Sequence, residues 1–217
     1  MTSPSGPTVF VVDDYAPGRR SISRLLRATG FVVAAFASAE EFLARYDPQA
    51  PGCLVLDLAM PQVSGLELQN ILTEKGSPLP IIFLSAHGDI AKSVQAMKRG
   101  ARDFLTKPVN DEDLLAAVRI AIEKDAALRR EQAELSEIRA RLATLTPRER
   151  EVLEYVVAGK LNKQIASDLG TVEQTVKVHR AHVMQKMRVQ SVAELVRLTQ
   201  RCGIGGPSSD LGRGFRV

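Results

Sequence analysis

The segment Val9-Phe10-Val11-Val12-Asp13-Asp14 indicates the fold of the first half of the chain, because a short apolar run ends there in two acids. Four consecutive apolar residues without alternation are typical of a strand buried on both faces, as in a parallel sheet covered by helices. Four further runs of this kind follow: Phe31-Val32-Val33, Leu54-Val55-Leu56, Ile81-Ile82-Phe83-Leu84 and the weaker Phe104-Leu105. Helical spacing separates these runs, so residues 8–125 are predicted to form a doubly wound α/β domain with a five-stranded parallel sheet.

A long helix is predicted next, because residues 110–143 contain neither Gly nor Pro and are rich in Ala, Glu, Arg and Leu. Residues 126–143 would form a helical linker. Leucines at 128, 135 and 142 are seven apart, and Ile138 and Leu145 follow the second and third of them by three. This spacing fits the core positions of a coiled coil between two copies of the chain, although a solvated spacer helix remains the alternative.

The remaining residues, 144–201, are predicted to form an all-α domain of four short helices. Thr146-Pro147-Arg148-Glu149 has the pattern of a capping box with Pro at the first helical position. Asn162 is expected to cap a helix that stops at Gly170, and the next helix is expected to run from about Val172 to Met187, with Thr171 as an alternative cap. A helix, a Gly-containing turn and a second helix predict a helix-turn-helix unit.

Charge and composition limit the classes of function. Residues 1–125 carry 13 Lys/Arg and 15 Asp/Glu, whereas residues 126–217 carry 16 and 10. A basic second half favours a polyanionic partner such as double-stranded DNA.

Two cysteines exclude a disulfide framework, and Cys53 is expected to be a small buried hydrophobe. Since no apolar run approaches 18 residues and no secretory signal is recognisable, we expect a cytoplasmic protein without a membrane partner. Five glycines after Cys202 predict a disordered tail over 202–217.

Chemistry-bearing residues follow the predicted strands. Asp13 and Asp14 follow the first strand, Asp57 the third, Ser85 the fourth, and Lys107-Pro108 the fifth. The carboxyl ends of parallel strands meet at one edge of the sheet, so these groups should converge. Three carboxylates repel one another unless a cation lies among them, and Mg²⁺ prefers such hard oxygen ligands. Asp57 could then act as a nucleophile toward phosphorus, with Ser85 and Lys107 binding phosphoryl oxygens.

Residues 8–125 resemble the CheY-like receiver domains, which have a flavodoxin-like fold. Asp13-Asp14 is similar to their acidic pair, Asp57 to Gly65 to their phosphoacceptor loop, and Ser85-Ala86-His87-Gly88-Asp89-Ile90 to the FixJ branch in particular. The resemblance implies that Asp14, Asp57 and the Ala59 carbonyl hold Mg²⁺ with assistance from Asp13. It also implies that Phe104 is the aromatic switch residue and that the Lys107–Pro108 bond is cis. His87 is expected to be a loop residue rather than a metal ligand.

The second helix of the helix-turn-helix is expected to enter the major groove of DNA. Its buried stripe would comprise Val176, His179, Val183 and Met187. The candidate DNA contacts lie off this stripe: Gln174, Lys177, Val178, Arg180 and Ala181, with Gln185 and Lys186 further along. Cationic and amide groups suit phosphates and base edges, although scattered Lys and Arg also occur on solvated faces.

Residues 144–201 resemble the LuxR/FixJ-type (NarL-like) helix-turn-helix on the wording Leu145–Leu153, Asn162–Ala166 and Thr175–His179. The combined resemblance implies a two-component response regulator. Its partners would be a sensor histidine kinase and DNA, with RNA polymerase as a further candidate. After phosphorylation it would also pair with a second copy of the chain. The helix near 191–201 and the face near 89–99 would form the contacts of that dimer. The chain is not expected to be an enzyme. A dehalogenase-like phosphatase would carry a second Asp where Ala59 stands, and a small-molecule sensor would not need the acidic set with Lys107.

Overall fold

The computed structural model describes residues 6–86, 94 and 96–204. The chain divides into two compact units, Met1–Arg130 and Glu131–Val217, and each is described by itself. Two predictions made from the sequence fall largely on other residues. The tail beyond Ile204 and the segment around His87, including most of the face predicted near 89–99, lie outside the residues that the structure describes.

The first unit is a five-stranded parallel sheet in the order β2-β1-β3-β4-β5, which confirms the doubly wound fold class. Its strands are β1 (Thr8–Val12), β2 (Val32–Phe36), β3 (Gly52–Asp57), β4 (Ile81–Ser85) and β5 (Asp103–Thr106). Its helices include α1 (Ala16–Ala28), α2 (Ala39–Arg45), α3 (Gly65–Glu74) and the first part of α4 (Asp111–Ala143). The cis bond between Lys107 and Pro108 is present.

Apolar residues cover the sheet on both faces, as the continuous apolar runs predict. One layer packs β-strand residues such as Phe83 against α2 and α3, and the other packs Val55 and its neighbours against α1 and α4. Cys53 is fully buried in the second layer, and burial raises the pKa of its thiol to about 12. It is therefore the buried hydrophobe that the sequence predicts, because only the thiolate is reactive.

Helix α4 is 33 residues long, or about 50 Å at 1.5 Å per residue. Its last turns belong to the second unit, where Ile138 and Leu142 are buried together with Leu145 in the hydrophobic core. Three of the five side chains that were predicted at core positions of a coiled coil are thus buried in the core of their own chain. The periodicity reflects packing onto the following helices there, and those side chains are not free to contact a partner helix.

The second unit continues with α5 (Pro147–Val157), α6 (Asn162–Asp168), α7 (Glu173–Met187) and α8 (Val192–Arg201). These four helices confirm the predicted all-α domain. The capping box of Thr146 and Glu149 is present, with Pro147 in the first turn. Cys202 and Ile204 pack on the core, so the prediction of disorder from residue 202 is wrong for residues 202–204.

The cap of α6 differs from the prediction, whereas α7 starts where it is expected but without the alternative cap. Helix α6 begins at Asn162 with Leu161 as its N-cap, and α7 begins at Glu173 with Val172 as its N-cap. Neither cap has a side chain that can accept a hydrogen bond, so Asn162 and Thr171 are not the caps that their residue types suggested. Among the described helices, none combines the length and apolar character that a membrane span requires.

Candidate metal centre and nucleic-acid interface

Three carboxylates meet at the carboxyl edge of the sheet. Asp13 and Asp14 follow β1 directly, and Asp57 is the last residue of the neighbouring strand β3. One ligand oxygen from each lies within 4.8 Å of the others. Asp13 is fully buried and Asp57 is 6% exposed, whereas Asp14 is exposed. The structure therefore brings together the acidic set predicted from the sequence, with one open side toward solvent.

The ammonium group of Lys107 lies between two of these acids. Its Nζ donates to Asp57 Oδ1 at 2.8 Å and to Asp13 Oδ2 at 3.0 Å. Burial raises the pKa of the Asp57 carboxyl, and the hydrogen bond from Lys107 opposes that rise. Burial lowers the pKa of Lys107, but its hydrogen bonds to Asp57 and Asp13 outweigh this and leave that pKa raised. Lys107 therefore stays protonated and holds the Asp57 carboxylate in place.

The other predicted residues lie around this cluster. Ser85 ends β4 next to β3 and is buried, and its hydroxyl donates to the Ala86 carbonyl at 3.1 Å. Phe104 lies in β5, half-buried, with its ring centroid 6.3 Å from that of Phe83. Ala59 is exposed in the loop after Asp57.

The loop after Asp57 is shaped by its own sequence. Gly65 N donates to the Leu58 carbonyl at 3.1 Å, and a Cβ on Gly65 would lie 2.5 Å from the Asp57 carbonyl oxygen. Only glycine can approach so closely. Ser64 and Glu67 then form a capping box that begins α3. This tight turn leaves residues 58–63 as a short loop directly beside the carboxylates.

Arg19 is a further residue of this region that the sequence did not reveal. Its Nη1 donates to the Asp13 carbonyl at 2.5 Å, and Tyr15 N donates to Asp13 Oδ1 at 2.8 Å. These bonds fix the turn that carries the acidic pair. No sequence pattern distinguishes Arg19 from the other arginines of α1, since only the folded turn brings it back to Asp13.

The donor set of this cluster fits a hard divalent cation. Carboxylate oxygens are the ligands that Mg²⁺ prefers, and the exposed side at Asp14 leaves room for its waters. A carboxylate beside a protonated lysine can also act as a nucleophile, and the ammonium can balance the negative charge on the group that is attacked.

The candidate nucleic-acid surface lies on α7. Gln174, Lys177, Val178 and Ala181 are all exposed on it, and the apolar side chain of Val178 is 45% exposed. Apolar side chains on such a helix can contact thymine methyl groups. The buried side of α7 is formed by Val176, Val183 and Met187, while His179 is only half-buried.

Two predicted contacts have protein partners that the sequence did not indicate. Arg180 is half-buried, and its Nη1 donates to Asn162 Oδ1 at 2.7 Å. Lys186 donates to Glu149 Oε2 at 2.6 Å, so one N–H of its ammonium is bound to the protein. The contact of Lys186 with DNA stays a prediction, since a cation placed off the apolar stripe can also find a buried acid on another helix.

Glu149 links the start of α5 to α7. It is 4% exposed; it accepts from Thr146 N at 2.8 Å, and His182 Nδ1 lies 3.6 Å from its Oε1. The hydrogen bond from Lys186 is the largest cause that holds the pKa of Glu149 at about 2. A carboxylate charged and bonded in this way stabilises the fold above pH 4.5, and the contribution is lost as the pH falls toward 2.

Replacing Glu149 by glutamine is expected to lower the stability of this unit by about 1–3 kcal/mol at pH 7, because hydrogen bonds to a charged group are lost. The difference from wild type should narrow as the pH falls from 4.5 through 2, because wild-type Glu149 becomes protonated in that range. Hydrogen exchange of α5 and α7 amides in the full-length protein measures this. Glu151→Gln, which breaks an exposed ion pair with Arg148, is the control and should change stability by less than about 1 kcal/mol. A pH-independent difference would contradict the assignment.

The chain has clear relatives in both parts. Residues 9–119 match the response regulator receiver domain, and residues 143–199 match the bacterial regulatory proteins of the luxR family. Nodulation protein W of Bradyrhizobium diazoefficiens is 46% identical over 196 residues, which cover 90% of this chain and 86% of that protein. The transcriptional regulatory protein FixJ of Rhizobium meliloti is 44% identical over 198 residues, which cover 91% and 97%.

Solved structures give the same answer. The response regulator StyR is 45% identical with a TM-score of 0.85, covering 91% of this chain and 100% of that one. Full-length FixJ from B. japonicum is 40% identical with a TM-score of 0.57, covering 92% and 98%. Both resemblances predicted from the sequence are thereby confirmed. The chain belongs to the response regulators of two-component systems that join a receiver domain to a LuxR-type DNA-binding domain and regulate transcription.

Proposed function

We propose that Asp57 is the phosphoacceptor of this regulator and that a sensor histidine kinase in the cytoplasm supplies the phosphoryl group. The observation that carries this is the bond of Lys107 to the buried Asp57 carboxylate, beside Asp13 and Asp14 at the carboxyl edge of the sheet. An oxygen of Asp57 attacks phosphorus, the bond from phosphorus to the imidazole nitrogen of the kinase breaks, and the imidazole leaves as the new P–O bond forms.

The acidic cluster would hold Mg²⁺ through Asp13, Asp14, Asp57 and the Ala59 carbonyl. Bound there, the ion would neutralise charge on the phosphoryl oxygens. Once Asp57 is phosphorylated, the Lys107 ammonium leaves the Asp57 carboxylate and pairs with one phosphoryl oxygen. The Ser85 hydroxyl turns from the Ala86 carbonyl toward another phosphoryl oxygen. Phe104, on the strand next to Ser85, then moves inward behind it. A phosphatase role is not favoured, because Ala59 offers no acid or base and the matched relatives regulate transcription.

Phosphorylation is proposed to favour a homodimer that places two α7 helices in the major groove of double-stranded DNA. Gln174, Lys177, Val178, Arg180 and Ala181 would make the DNA contacts. Two-fold symmetry would separate the half-sites by about 10 base pairs or a multiple of it. RNA polymerase is a further partner proposed for the DNA-bound form, whereas no membrane partner is proposed. The division into a receiver over 8–125, a linker over 126–143 and a DNA-binding domain over 144–201 also stays a proposal, with α4 shared between the two compact units.

Genome-wide footprinting in vitro tests this function. Full-length wild type and Asp57→Asn are each incubated with fragmented genomic DNA, with and without acetyl phosphate and Mg²⁺. We expect acetyl phosphate to raise site occupancy in wild type by about tenfold, a typical allosteric coupling, and to leave the variant unchanged. An equal rise in both proteins would show that Asp57 does not carry the signal. Binding without any sequence preference would remove the proposed role of α7.

A further inference from the structure

Arg180 differs from the other proposed DNA contacts in how it is placed on α7. Val176 and Val183, four residues before and three residues after it, are both buried, and Arg180 itself is half-buried. Residues at these spacings share one face of a helix, so Arg180 starts from the inner side of α7. Lys177 and Val178, by contrast, are exposed on the outer side.

The guanidinium of Arg180 is held by Asn162, the first residue of α6. The Nη1–Oδ1 distance of 2.7 Å is that of a short, charge-assisted hydrogen bond. A free arginine loses rotamer freedom when it is fixed, and this bond fixes it before DNA arrives. The bond engages one of the five N–H donors of the guanidinium, and the amide of Asn162 keeps its own NH₂ group for a further acceptor.

The position of Asn162 indicates what Arg180 meets. In a helix-turn-helix the second helix enters the major groove, whereas the first helix crosses the phosphate backbone. A guanidinium bound to the first turn of α6 is therefore directed toward the backbone rather than toward the bases. We propose that Arg180 binds a DNA phosphate and that Asn162 is the residue that positions it, so this pair contributes affinity without sequence discrimination. The inference rests on the proposed function of α7 as the DNA-reading helix.

A double-mutant cycle tests the pair in the full-length protein treated with acetyl phosphate and Mg²⁺. The variants are Asn162→Ala, Arg180→Ala and both together. The DNA probes are a duplex that wild type selects from a random pool and a scrambled duplex of equal length and composition. Arg180→Ala should weaken binding to both duplexes by about tenfold and flatten the salt dependence by about one unit of slope.

Asn162→Ala alone should weaken binding to both duplexes by about three- to tenfold, with the salt slope unchanged because the arginine charge remains. In the Arg180→Ala background the same change should have no further effect. The matched control combines Asn162→Ala with Lys177→Ala, where the two effects should multiply, since Lys177 lies on the outer face. Thermal unfolding of each variant separates lost binding from lost folding. If Arg180→Ala does not fold, Arg180→Met replaces it in the cycle, because methionine keeps an apolar stem without the charge or the N–H donors, and the same outcomes are expected.

A loss confined to the selected duplex would show that Arg180 reads bases and would overturn the inference. It would also be overturned if Asn162→Ala weakened binding equally with and without Arg180, or had no effect in wild type. Wild-type protein that selects no duplex from the random pool would instead refute the proposed function, and this inference with it.

Discussion

Replacement of Asp57 by asparagine is expected to abolish labelling of the protein by radiolabelled acetyl phosphate in the presence of Mg²⁺. The loss should be at least about a hundredfold, because the amide keeps the shape of the side chain but not the nucleophilic oxygen. Asparagine can still accept the hydrogen bond that Lys107 Nζ donates to Asp57 at 2.8 Å. The variant should therefore fold, and the loss can be assigned to chemistry.

The control for this experiment is Asp47→Asn. Asp47 is an exposed carboxylate that accepts a hydrogen bond from Gln49 N, and asparagine can form the same turn. It should be labelled as wild type is. Chelation of Mg²⁺ should suppress labelling of wild type and of this control alike. Undiminished labelling of Asp57→Asn would place the acceptor elsewhere in the chain.

The receiver half could be predicted in detail because each strand and each functional residue can be recognised within a short stretch of the sequence. Each buried strand is a continuous apolar run, and each functional residue directly follows a strand, as Asp13 follows β1 and Ser85 ends β4. Parallel packing then brings those ends to one edge without further assumptions. The acidic cluster is a consequence of these two facts, whereas the strand order is known only from the structure.

The DNA-binding half was less predictable because its decisive contacts join distant residues. Arg180 and Asn162 are 18 positions apart, and Lys186 and Glu149 are 37 apart. In sequence, both cations look like ordinary members of a solvated helix face. Helical periodicity reveals that a stripe is buried but not what buries it, which is why the leucine spacing in α4 could not distinguish a partner helix from the chain's own core at Leu142.

Helix α4 contains a second feature that periodicity conceals, a carboxylate buried at the opposite edge of the sheet from Asp57. Asp125 is 1% exposed and accepts from Gly52 N, at the start of β3, at 2.9 Å. Arg129 Nε donates to the same carboxylate at 2.8 Å, and its remaining nitrogens donate to the carbonyls of Gln49 and Ala50. A Cβ on Gly52 would lie 1.8 Å from the Thr8 carbonyl oxygen, so only glycine fits at the position whose N–H Asp125 accepts.

Replacement of Asp125 by alanine is expected to destabilise the first unit by about 3–5 kcal/mol, because it leaves the Gly52 N–H and the largely buried Arg129 guanidinium without their acceptor. Hydrogen exchange of the β3 amides in the full-length protein measures the loss. The control is Glu123→Ala. Glu123 is an exposed acid about half a turn before Asp125, so its replacement should change stability by less than about 0.5 kcal/mol. The double variant Asp125→Ala/Arg129→Ala should lose less than the two single variants added together, because removing both partners leaves no uncompensated charge. A loss below about 1 kcal/mol for Asp125→Ala would mean that water satisfies both groups, and the buried pair would then not be what fixes this part of α4 to the sheet.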